Sequence, residues 1–173
     1  PIGGILWFAV DDTNSCVYVP MYCGILDVPH AYAVGTADFN HFSWDSAFWV
    51  FNFVSNYCYL RYSDMIRDVK VEQQRLEGKF LSEIPGIDQA AKLLYGDSPR
   101  RAREYLTRFS LEAGQKTVSI WRKLGERLLV KYLDGNVRDS QGKVTHPGYP
   151  ESWYKRIAEE NKEFLAVPEA DKE

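Results

Sequence analysis

Apolar residues in this chain follow two different rhythms. Near the start, Ile5-Leu6-Trp7-Phe8-Ala9-Val10 is an unbroken apolar run. Asp11-Asp12-Thr13-Asn14-Ser15 interrupts it, and Cys16-Val17-Tyr18-Val19-Pro20-Met21-Tyr22 resumes β-branched and aromatic side chains. Two such runs around turn chemistry predict a β-hairpin with a loop of about five residues. Pro20 has no N–H to give to a ladder, so it belongs at an edge or near the strand's end. Both strands are apolar on both faces, the pattern of strands covered from above and below. A two-stranded hairpin is marginal by itself in water. Nothing later reads as a third strand, so the rest of the sheet is expected outside these residues.

The rhythm then changes to a helical one. Residues 23–42 are irregular, with Gly24, Pro29 and Gly35 among scattered aromatics, a connection of about twenty residues of the kind that often serves function or an interface. Ser43 reads as an N-cap with Asp45 in the first turn. Behind it Trp44, Ala47, Phe48, Trp49, Val50, Phe51, Phe53, Val54 and Tyr57 are apolar nearly all round, so this helix must be buried on most sides. Ile66, Val69, Gln73, Leu76 and Phe80 recur three and four residues apart among charges, the spacing of an amphipathic helix. Pro85-Gly86 is expected to stop it, with a short helix over residues 87–95 beyond. Asp97 or Ser98 caps the next helix, with Pro99 in its first turn. Ala102, Tyr105, Leu106, Phe109 and Ala113 form one stripe, and Val118, Trp121, Leu124, Leu128 and Tyr132 another. Gly114 either joins two helices or sits within a bent one. Asp134-Gly135-Asn136 ends that region and residues 139–142 form a turn. Residues 150–165 make a last helix with Trp153, Tyr154, Ile157, Asn161 and Phe164 on one face. The final eight residues are charged and expected to fray.

Composition narrows the function classes. The chain has 173 residues, enough for one core with a helical extension. Its 11 Tyr, 9 Phe and 5 Trp are an unusual aromatic load. With 21 basic against 24 acidic residues the net charge is −3, which gives no electrostatic case for nucleic acid or an anionic membrane surface. The strongly apolar stretch at 47–54 is too short to span a bilayer. Three cysteines, with no C-x-x-C pair, leave the redox compartment and localisation open.

Few residues suggest chemistry by themselves. His30, Asp38 and His41 could share a loop as metal ligands, but their spacing fits no ligand pattern, and His146 beside Pro147 reads as a loop residue; no metal or cofactor is expected. Arg100, Arg101 and Arg103 read as a solvated face. Asn52, Asn56, Arg61 and Asp64 lie on or beside the buried aromatic helix, as a structural hydrogen-bond network or as a pocket wall. Cys16, Cys23 and Cys58 have no neighbouring base and read as buried small hydrophobes. Pro1, if a true terminus, offers a secondary amine of the kind that serves tautomerases as a general base.

The order of three motif groups resembles a known family. Residues 6–12 with Tyr18-Val19-Pro20-Met21-Tyr22 and Gly24-Ile25 form one group. Ala47-Phe48-Trp49, Phe53-Val54-Ser55-Asn56 and Tyr59-Leu60-Arg61-Tyr62-Ser63-Asp64-Met65-Ile66 form the second, and His146-Pro147-Gly148-Tyr149-Pro150-Glu151 with Trp153 the third. Together they resemble the second half of bacterial cysteine dipeptidases of the N-terminal-nucleophile class. The resemblance implies an α+β chain that is a fragment of an αββα sandwich, in which residues 1–61 belong to the hydrolase core and residues 62–173 form a C-terminal helical region. It also implies a parent enzyme that hydrolyses dipeptides through a cysteine at its mature N-terminus, whose α-amine acts as base. No residue here matches that cysteine, so no catalytic residue is assigned and the fragment alone is expected to be inactive. Its expected partner is the missing N-terminal half of the same polypeptide, with a homo-oligomer left open. Two alternatives stand beside it: a non-catalytic helical interaction module, and a tautomerase dependent on Pro1.

Overall fold

A computed structural model describes residues 3–165 of the chain. It is α+β, with two separate antiparallel strand pairs and long helices. Two compact units divide it, Pro1–Lys131 and Tyr132–Glu173.

The first unit opens with the expected hairpin, β1 (Ile5–Phe8) and β2 (Val19–Tyr22). Ile5 faces Tyr22, Leu6 faces Met21, Trp7 faces Pro20 and Phe8 faces Val19. The strands are shorter than the apolar runs, and the loop between them, residues 9–18, is about twice the length read from sequence. Asp11 adopts φ 70°, which takes the chain out of the ladder early. The two strands also differ in cover. All four residues of β2 are buried, whereas Leu6 and Phe8 of β1 are exposed, at 56% and 37%. The expectation of cover on both faces therefore holds for β2 alone.

Helix α1 spans Ala47–Tyr59. Ser46, not Ser43, stands at its N-cap, in extended conformation. The Ser43 hydroxyl instead accepts the Asp45 N–H at 3.1 Å, forming a turn just before the helix. Ala47, Val50, Phe51, Val54 and Cys58 are buried, and Phe51 stacks on Trp121 with ring centroids 5.2 Å apart. The opposite side is aromatic too and only half-covered, chiefly by its own preceding loop: Phe39 meets Phe48, and Phe42 meets Trp44 and Trp49.

Helix α2 spans Tyr62–Asp97 without a break, so Pro85-Gly86 does not stop it and no separate helix begins at residue 87. Proline removes one hydrogen bond to the carbonyl four residues back, here Leu81. Leu81, Pro85 and Gly86 are all exposed, so water can satisfy that carbonyl, while buried Phe80 and Ala91 hold the helix on either side. Packing overrides the local signal. Helix α3, Pro99–Lys131, is also continuous through Gly114. Its start matches expectation: Pro99 is the first helical residue, and the Ser98 hydroxyl accepts the Arg101 N–H at 3.4 Å. From Ala102 to Leu128 the two sequence stripes form one face, buried except for half-buried Tyr105 and Phe109, against which α1, α2 and β2 pack. Two glycines on it permit close approach. A Cβ on Gly114 would lie 2.5 Å from the Pro29 ring, and one on Gly125 would lie 2.8 Å from the Phe53 ring.

In the second unit, a short antiparallel pair not foreseen from sequence, β3 (Val137–Arg138) and β4 (Val144–Thr145), brackets the expected turn. Asp139 organises that turn by accepting the N–H groups of Gln141 and Lys143. Helices α4 (Glu151–Glu160) and α5 (Lys162–Leu165) follow, and Tyr149 stacks on Trp153 at 4.3 Å. The frayed tail expected over the final eight residues lies outside the described residues, as does Pro1. Among the described residues no helix is long and apolar enough to cross a membrane.

Candidate functional site

A dense cluster of polar side chains lies where the β1–β2 loop crosses the end of α1 and the start of α2. Asp11 is its first anchor. Its carboxylate accepts the Asn52 amide at 2.9 Å and the Ser55 hydroxyl at 2.5 Å, from one face of α1 three residues apart. Asp12 is the second. It accepts the Asn14 N–H at 3.0 Å, the Ser15 hydroxyl at 3.1 Å and the Tyr59 hydroxyl at 3.1 Å. The Asn14 N–H is the main reason that the Asp12 carboxyl is held below its ordinary value, with Ser15, Tyr59 and the Lys70 charge adding to it against a burial penalty. The hydrogen bond to Asp12 in turn raises the Tyr59 hydroxyl above its usual value.

Helix α2 pegs the returning half of the loop along one face. The Asn14 amide donates to the Tyr62 hydroxyl, and the Tyr62 ring stacks on Tyr59 at 5.7 Å. Lys70 donates to the Asn14 carbonyl at 2.5 Å, Gln73 to the Cys16 carbonyl at 2.6 Å, and Glu77 accepts the Tyr18 N–H at 3.0 Å. The four positions on α2 recur at helical spacing. The loop is thus clamped by side chains over its whole length.

Of the four polar residues singled out on sequence, Asn52 enters this cluster directly, through Asp11. Asn56 donates to the Asn52 carbonyl one turn back, and Arg61 lies 3.4 Å from Asp64. Sequence reading missed Asp11, Asp12, Ser55 and Tyr59. Two carboxylates directly after an apolar strand, with Asn and Ser at helical spacing on an otherwise apolar helix, were the signal available.

The other candidates stand apart from it. His41 Nδ1 lies 2.9 Å from both Asp38 carboxylate oxygens, an exposed pair that lowers the Asp38 carboxyl. His30 gives its backbone carbonyl to the Thr36 hydroxyl. No three His, Cys, Asp or Glu residues among those described are placed to hold a metal ion. Arg100 pairs with Glu104 at 2.8 Å, and Arg103 donates to the Gly24 carbonyl. His146 contacts the Asn136 side chain.

The cysteines divide. Cys16 and Cys58 are buried as expected, and desolvation pushes each thiol up to about 11. Neither holds an appreciable thiolate at neutral pH. Cys23 is exposed, against expectation, because it lies just past the ladder's end, where its N–H still bonds the Gly4 carbonyl at 2.8 Å. A groove of about 310 Å³ runs between α2 and α3 beside Pro85, floored by Leu76, Phe80, Ile87 and Phe109. Its rim charges pair with each other along their helices, Lys79 with Glu83 and Lys116 with Glu112.

The model of peptidase family C69 matches residues 1–75, which covers the hairpin, the clamped loop, α1 and the first turns of α2. That stretch is similar to this peptidase family, in line with the first two motif groups. The third group, around His146 and Trp153, lies beyond the match. No curated protein and no solved structure matches the chain.

Proposed function

We propose that the chain is the C-terminal part of a dipeptidase that attacks its substrate with an N-terminal cysteine lying outside these 173 residues. The family match over residues 1–75 carries the reading. Residues 1–61 then supply part of a layered αββα core, and residues 62–173 a helical appendage. The state of the cysteines supports it: a thiolate nucleophile needs a lowered pKa and a base, whereas Cys16 and Cys58 are shifted the other way. The Asp11–Ser55 contact is no substitute. A serine donating to a carboxylate, with no imidazole between them, lacks the base that would activate it. The clamp's role in this reading is positional, fixing the loop at the end of β1.

Dipeptide hydrolysis by the purified chain, with and without a thiol-alkylating reagent, tests the proposal. Turnover should be at background in both cases. Thiol-sensitive hydrolysis by these residues alone would overturn it.

A further inference from the structure

The two outer edges of the first sheet are chemically unlike. Alternation along an antiparallel ladder fixes which backbone groups face outward. The Cys23 N–H bonds the Gly4 carbonyl, so Gly4, Leu6 and Phe8 turn their backbone groups toward β2, and Ile5 and Trp7 turn theirs away. On β2 the outward positions are Tyr18, Pro20 and Tyr22. The Tyr22 N–H donates to the Ser110 hydroxyl at 3.2 Å, and the Tyr18 N–H to Glu77. Pro20 has no N–H. The edge of β2 is therefore closed, donor by donor, by α2, α3 and a proline.

The edge of β1 has none of this. No described residue bonds the outward N–H groups of Ile5 and Trp7. The strand reads Ile-Leu-Trp-Phe, without a charge, a proline or a bulge, the devices that keep an edge from pairing. Leu6 and Phe8 beside it expose apolar surface, whereas their ladder partners Met21 and Val19 are buried.

We propose that β1 receives a further strand on this edge, bonded through Ile5 and Trp7, and that the strand comes from the remainder of the parent polypeptide. The source rests on the reading of the chain as part of a larger hydrolase; the choice of edge rests on the hydrogen bonds alone. The entering strand must be uncharged on the side that meets Leu6 and Phe8, and it cannot pair on β2.

Amide hydrogen exchange, read residue by residue on the complete parent protein and on the present chain when dilute, tests this. In the parent, Ile5 and Trp7 should be as protected as Leu6 and Phe8. In the dilute chain they should exchange at least about tenfold faster than those two. Fast exchange of Ile5 and Trp7 in the parent overturns the proposal. So does protection in the parent that disappears on dilution, since the strand would then come from a second copy. Dipeptide turnover by the same parent sample reports separately on the functional reading: an active parent with a bare β1 edge sinks only the pairing, and an inactive parent with a protected edge sinks only the dipeptidase.

Discussion

Asp11 sits in the left-handed region at φ 70°, where a non-glycine residue is uncommon. Its two carboxylate contacts to α1 hold it there, so conformation and hydrogen bonding support each other. Asp11→Ala removes the acceptor of both Asn52 and Ser55 while keeping the unfavourable φ. Hydrogen bonds to a charged group are worth enough that urea unfolding should show a loss of about 2–3 kcal/mol. Asp11→Gly should lose less, since glycine adopts that φ freely. Glycines give a second contrast. At Gly78 an added Cβ meets nothing within 4 Å, so Gly78→Ala should stabilise by about 0.5–1 kcal/mol through reduced freedom of the unfolded chain. Gly114→Ala drives a methyl into the rigid Pro29 ring and should cost about 1–3 kcal/mol in the same assay. Neither outcome is legible in sequence, where both are glycines among helix formers. What separates them is a contact between residues 85 positions apart.

At the scale of elements, the helices were legible wherever their apolar face repeated regularly, and misread where a local breaker met long-range packing. The α3 stripes and the Ser98-Pro99 start were clear because cap and periodicity agree. Pro85 misled because its cost falls on a solvent-facing carbonyl and the groups on either side are buried. Replacing it tests that account: Pro85→Ala restores an N–H to the helix interior and should raise stability by about 1–3 kcal/mol. A loss would show that packing of α2 on α3 depends on the proline. The same two helices carry a pH-sensitive tie. Burial alone would raise the Glu72 carboxyl, but Arg75 on its own helix and Arg127 on α3, 3.1 Å away, outweigh it and hold it below the ordinary 4.5. A carboxyl lowered by folding adds stability above its unfolded value, and that stability disappears as pH falls through the folded value. The unfolding midpoint should therefore drop as the pH is lowered below about 4.5. In Glu72→Gln this part of the drop should be absent, with stability lower at neutral pH because Arg127 loses its charged partner.

For the whole molecule, the hairpin's composition was informative and its geometry was not. Apolar runs on both strands showed that the pair needs cover, yet could not say that α2 and α3 shield β2 and leave β1. That asymmetry depends on Ser110 and Glu77, remote in sequence, reaching the outward N–H groups of one strand. The clamp was hidden for the same reason: Asp11 and its α1 partners are more than 40 positions apart. The consequence for the isolated chain is measurable. If Leu6 forms surface meant for contact, charging it should leave folding nearly untouched, because exposed substitutions rarely move stability beyond about 0.5 kcal/mol. Association is another matter, since an apolar flank beside a bare strand edge promotes pairing between copies. Sedimentation of the wild-type chain should show weight-average mass rising with concentration, and Leu6→Glu should hold it near the monomer value while the urea midpoint stays in place. A midpoint that collapses in Leu6→Glu would instead mean that this side chain belongs to the chain's own core, and the case for a covering partner would go with it.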